Sequence, residues 1–254
     1  MSIKIIDLSV PLVNKSFEPW PPLIYFFDHR EGAREAARAM GVKPEDFPEG
    51  LGAAIEEVHA ITHTGTHLDA PWHFGPTSEG KPAKTIDQIP LEWCYGNGVV
   101  LDFRHKKRGE GISEEDVKEA LKKIDYTIVP FDIILIMTGT DKFIEDPHYP
   151  DLHPGMTEEA TRWLIMQGVK VMGIDAYGWD KPFSVLKREY EQGVGKVWPA
   201  HILGRRMEYC HIEKLANLDK IPKPFGFKVS VFPINILKAS AGWCRAVAIF
   251  EESF

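Results

Sequence analysis

One ordering constrains this chain most: a strand, then a capped helix, then a strand. Residues 132–138 (Asp-Ile-Ile-Leu-Ile-Met-Thr) form a β-branched apolar run. Thr157-Glu-Glu then opens a helix that stops at Gly168, and Val169 to Ile174 is again a strand. The threonine hydroxyl can accept an orphan N–H of the first turn, and the acids face the positive end of the helix. The same grammar recurs in a strand at 99–103 and a helix from Ser113 to about Ile124. An opening strand lies within 3–12, where Pro11 ends the ladder, and helices are predicted over 31–40, closed by Gly41, and around 183–192. Residues 229–250 read as strand broken by Pro233 and Gly242. This alternation predicts a single α/β domain over 1–254 with much irregular strand. Residues 26–52 read as an excursion from it, either an active-site lid or a plain surface insertion.

Composition excludes several classes. The chain has 254 residues, with 30 Lys+Arg against 37 Asp+Glu and a formal net charge of −7. An acidic balance argues against a nucleic-acid partner. The one dense basic run, Arg104 to Arg108, precedes Gly-Glu-Gly and reads as a solvated turn. The longest apolar run, Ile133 to Met137, is far below the ~18–20 residues that cross a bilayer. The N-terminus has no apolar leader segment. Cys94, Cys210 and Cys244 show no metal or redox spacing and read as buried free thiols. Together these predict a cytoplasmic protein with no membrane partner.

The chemistry is concentrated in His63-Thr-Gly-Thr-His67-Leu-Asp69-Ala-Pro-Trp-His73-Phe. Three of the ten histidines fall within eleven residues, where uniform scatter would put fewer than one. Thr64, Gly65, Thr66 and Pro71 make a poor helix. In an extended chain, residues of equal parity share a side. His63, His67, Asp69 and His73 then lie on one side, and Leu68, Ala70, Trp72 and Phe74 on the other. Gly65 removes bulk between two histidines, and Pro71 marks an edge or a break. Histidine and carboxylate without thiolate suit a divalent ion such as Zn²⁺ or Mn²⁺.

The string His63-x-Gly65-Thr66-His67-x-Asp69-x-Pro71-x-His73 resembles the signature of the metal-dependent cyclase/formamidase family, which includes kynurenine formamidases and isatin hydrolases. Weaker pieces extend the resemblance over most of the chain, from Ile6-Asp-Leu-Ser through Thr138-Gly and Gly173-Ile-Asp to Arg245-Ala-Val-Ala. The resemblance implies a swivelling β/β/α domain, assembled as a homodimer or larger. It implies His63, His67 and Asp69 as metal ligands, completed by His201 and by Glu213 twelve residues later. His211 competes with His201 but reads as a surface residue. The resemblance also makes His73 the catalytic histidine and Trp20 a substrate-stacking residue. Trp20-Pro-Pro-Leu replaces the family's Trp-Pro-Gly-Asp, and Gly178 stands where many members have serine.

The expected activity is hydrolysis of an amide by metal-activated water, most like an arylformamidase that converts N-formylkynurenine to kynurenine and formate. His73 would move the proton from water to the departing amine. Zinc is the first choice of ion and manganese the second, as one or two ions. The alternatives are hydrolysis of a cyclic amide or lactone, or a catalytically silent binding protein on the same fold. The absence of GxSxG disfavours a serine hydrolase.

Overall fold

The computed structural model describes residues 2–14 and 17–252. The chain divides into two compact units, Met1–Pro11 with Thr62–Phe254, and Leu12–Ile61.

The larger unit is built on a nine-stranded mixed sheet. In chain order its strands are β1 (Ser2–Asp7), β2 (His67–Asp69), β3 (Tyr95–Asp102), β4 (Ile133–Met137), β5 (Val171–Ile174), β6 (Cys210–Glu213), β7 (Phe227–Ser230), β8 (Ala241–Trp243) and β9 (Val247–Glu252). Their spatial order is β1-β9-β7-β3-β4-β5-β6-β2-β8. The central strands β3, β4, β5 and β6 are parallel, and every outer pairing is antiparallel. All five residues of β4 are buried. A strand covered on both faces has no polar side to show, which is why 133–137 is apolar without alternation.

Helices α1 (Glu114–Lys123), α2 (Glu158–Met166), α3 (Phe183–Glu191) and α4 (Pro199–Leu203) connect or flank these strands. Ser113 and Asp116 form a reciprocal capping box, and Val117 and Leu121 bury the inner stripe of α1. Thr157 Oγ1 accepts from Ala160 N at the start of α2. Val117, Leu121, Ala160, Leu164, Ala200 and Leu203 pack with Ile134, Ile136, Met172 and Ile174 on one sheet face. Leu68, Ile133, Leu135, Val171 and Ile212 pack on the opposite face. This parity leaves the flanking residues of β2 and β6 pointing toward the helices.

Two expectations are corrected. The opening strand stops at Asp7 and does not run toward Pro11. Leu8 N still bonds Ala246 O, but Val10 N turns to Thr66 Oγ1. Gly242 lies inside β8 and does not break it. A Cβ there would meet Ile234 O at 2.8 Å, so close backbone approach is what needs the glycine.

The Leu12–Ile61 unit contains residues 26–52. Its two strands, Leu23–Phe27 and Ile55–His59, pair antiparallel. Its helix, His29–Met40, starts earlier than the predicted residue 31 because Asp28 caps it. Asp28 accepts from Arg30 N and Glu31 N, and Glu31 accepts from Asp28 N. Gly41 closes the helix at φ +70°, as expected.

Candidate metal centre

Strand β2 places His67 and Asp69 on the helix-covered face, with Leu68 turned into the core. Antiparallel pairing with β6 sets His211 opposite Asp69, and Glu213 opposite His67. Four polar side chains therefore meet across one strand pair.

The expected extended run over 63–73 is corrected. Only His67–Asp69 is strand. Gly65 turns the chain at φ +62°, so its need is conformational as well as steric. Pro71 opens a short helical turn, Pro71–Phe74, at the position where its missing N–H costs nothing. Parity therefore groups only His67 and Asp69, while a turn delivers His63 and a helical turn delivers His73.

His63 Nδ1 lies 2.8 Å from Asp69 Oδ1, and His67 Nε2 lies 3.2 Å from the same oxygen. On the other oxygen, His211 Nε2 is 3.1 Å and His73 Nε2 3.8 Å from Asp69 Oδ2. Glu213 Oε1 is 3.4 Å from His211 Nε2 and 3.6 Å from His201 Nε2. The structure thus brings together His63, His67, Asp69, His73, His201 and Glu213. Trp20 belongs to the smaller unit, where it is 66% exposed.

His211 is not the surface residue expected. It is fully buried, stacked on Trp179 at a ring separation of 5.4 Å. The overlooked signal was local: in Cys210-His-Ile-Glu213, histidine and glutamate share one parity and the apolar pair takes the other. Asp180 was also missed, with no spacing to reveal it. Its carboxylate accepts from Ala200 N and His201 N at the start of α4, and from His201 Nδ1 at 2.6 Å. That bond fixes the His201 tautomer and leaves Nε2 free to face Glu213. His67 Nδ1 similarly donates to Gly65 O, which frees its Nε2.

These groups fit a cation. Among the described residues, His67 Nε2, His211 Nε2 and both oxygens of Asp69 are buried with no hydrogen bond of acceptable geometry. Such atoms are costly unless something satisfies them. Donor atoms of Asp69, His201, His211 and Glu213 all lie within 4.8 Å of one another, as do those of His63, Asp69 and His73.

The electrostatics agree. Burial alone would raise the Asp69 carboxyl, but His73, His67, His211 and His63 hold it well below the usual range. Glu213 is likewise lowered against its own burial by contact with His211. Burial opposes charging of His211, yet Asp69 and Glu213 push it up to about 9. Burial, with His201 and His63 close by, pushes His73 down to about 4 despite Asp69. The cluster therefore favours positive charge between the carboxylates and keeps His73 neutral at its rim.

A mixed sheet carrying a histidine–carboxylate cluster on its helix-covered face defines a cyclase-type α/β fold. The chain belongs to the Cyclase family, described as "Putative cyclase", whose model matches residues 6–181. It is 29% identical to a kynurenine formamidase of Erythrobacter litoralis (strain HTCC2594) over 78% of each chain. It is 22% identical to cyclase-like protein 2 of Oryza sativa subsp. japonica, over 86% of this chain and 73% of that one. Isatin hydrolase A from Ralstonia solanacearum shares the fold at a TM-score of 0.77 and 21% identity, covering 98% of this chain and 92% of its own.

Proposed function

We propose that this protein is a metal-dependent hydrolase of a non-peptide carbon–nitrogen bond, most like an arylformamidase acting on N-formylkynurenine. One observation carries the reading: both oxygens of the buried Asp69 face imidazole nitrogens without hydrogen-bond geometry. His63, His67, Asp69, His201 and Glu213 are the ligands this reading requires. A divalent cation held there supplies Lewis acidity toward a carbonyl oxygen and lowers the pKa of the attacking water. His73, neutral and 21% exposed, accepts the proton from water and delivers it to the departing amine. Asp180 holds His201 in the tautomer that offers Nε2.

Nitrogen-rich ligation without thiolate favours zinc, with manganese second. A homodimer and a substrate role for Trp20 are carried by the sequence resemblance. Free buried Cys94, Cys210 and Cys244 suit a reducing cytoplasm. Among the described residues, no helix is long and apolar enough to cross a membrane.

A second reading, hydrolysis of a cyclic amide, is carried by the sequence resemblance, and isatin hydrolase A from Ralstonia solanacearum shares the fold. Metal analysis followed by turnover of N-formylkynurenine, isatin and a simple lactone separates these readings. Metal-dependent release of formate supports the first, and ring opening of isatin the second. A lactone as sole substrate replaces both, and metal binding without any turnover leaves a silent binding protein.

A further inference from the structure

Phe183, Leu186, Lys187 and Tyr190 recur at intervals of three and four, so they share one face of α3. Leu186 is buried, but Phe183 and Tyr190 are more than half exposed, as is Val197. With Val197 and Trp198, that face encloses a cavity of about 340 Å³ whose lining is almost all carbon. The volume lies at the lower end of the range of small-molecule sites. Large apolar groups gathered at one exposed place mark a surface that binds something.

Trp198 joins this cavity to the metal centre. Its indole stacks on His201 at 4.5 Å. It stands steeply inclined to His73 at 5.7 Å and to Phe183 at 5.6 Å. Its backbone is left-handed, at φ +52° and ψ +50°, which a bulky residue rarely adopts. The turn is fixed by Ile202 N, which donates to Trp198 O, and by Ala200 N and His201 N, which donate to Asp180. Strain of this kind persists only where the surroundings hold it, and it concentrates at ligand sites.

We propose that this cavity receives the aromatic ring of the departing amine and selects substrates whose ring carries an apolar substituent. The inference rests on the amide-hydrolase reading and names its substrate class, the formamide of an apolar arylamine. In that reading His73 delivers the proton to the leaving nitrogen, so the amine lies on His73's side of the site. Trp198 is the aromatic wall beside His73, and Phe183 stands beyond it. Ring separations of 5.7 and 5.6 Å along this line suit one aryl ring with a short substituent. A charged substituent would lose its hydration there without a compensating partner. Lys187, the one cation of the lining, already faces Glu191 at 3.8 Å.

The test pairs formanilide with para-butylformanilide as substrates of the zinc-loaded full chain. It also pairs aniline with para-butylaniline as ligands, by calorimetry with and without zinc. The butyl compound is expected to show kcat/KM, and affinity, at least about tenfold higher than its partner. Phe183→Ser and Val197→Glu, both at exposed positions, should bring both ratios to within about threefold of unity. Equal treatment of the paired compounds by the wild type, or unchanged ratios in the folded variants, overturns the proposal. If neither variant folds, photocrosslinking of para-benzoylaniline to the wild type decides: labels within 183–198 support the proposal, and labels elsewhere overturn it. Val197→Glu that splits an oligomer by light scattering without moving either ratio assigns the cavity to a second copy of the chain instead. Discriminating amine binding with no turnover of either formanilide removes the amide-hydrolase reading and leaves the arylamine site standing.

Discussion

Asp69 and His211 face each other directly across the antiparallel pairing of β2 with β6, with Oδ2 and Nε2 3.1 Å apart. Cross-strand neighbours on one face lie close enough to share a ligand. The site's centre is thus set by strand register. A one-residue slip of β2 would send Asp69 into the core and Leu68 into the site.

Asp69→Asn should abolish metal binding and turnover together. Asn keeps the shape but offers one acceptor oxygen and no charge, leaving His63 without its carboxylate partner and His67 and His211 with Glu213 alone. Elemental analysis and formate release should fall in parallel, with far-UV circular dichroism unchanged. Retained metal at wild-type stoichiometry would contradict the ligand role given to Asp69.

His73→Ala should separate binding from chemistry. His73 stands at the exposed rim, so the variant should retain its metal. Turnover should drop by ~10²–10⁴-fold, the usual worth of a general acid–base group. Loss of metal would make His73 a ligand.

Asp180→Asn should weaken metal binding through His201. Asp180 holds His201 Nδ1 at 2.6 Å and caps the first turn of α4. Loss of a carboxylate behind a ligating histidine typically costs ~10–100-fold in affinity. Titration against a competing chelator measures it, and an unchanged constant would make the pair purely structural.

Asp175 should impose a pH dependence on stability. Burial pushes its carboxyl up to about 7, although Thr138 N, Thr138 Oγ1 and Gly139 N all donate to it. Its unfolded value lies near 4. The folded state therefore binds the proton more tightly, and this contribution is complete below pH ~4 and lost as pH rises through ~7. Urea unfolding at pH 5, 6.5 and 8 should show the wild type losing its advantage over Asp175→Asn as pH rises. A gap constant across that range would show the carboxyl ionised throughout.

Much of this protein is written locally. Ser113, Thr157 and Gly41 start or stop helices through bonds within a few residues, so their roles are legible in order of sequence. The His63–His73 segment is equally legible because four chemical groups lie in one short string. Parity over 210–213 puts His211 and Glu213 on one side, but the burial of that side depends on β6 lying between β5 and β2, which sequence order does not show. Asp180 stayed hidden because it meets His201 from twenty-one residues away through a fold-level approach.

The sequence by itself determined the alternating α/β elements, the ligand types and the family, since these depend on propensity, capping and contiguous spacing. Only the tertiary structure decided which carboxylate oxygen meets which imidazole, and that His211 joins them. Register across β2 and β6 and the seating of α4 are long-range packing choices, and they alone bring buried donors within 4.8 Å of one another.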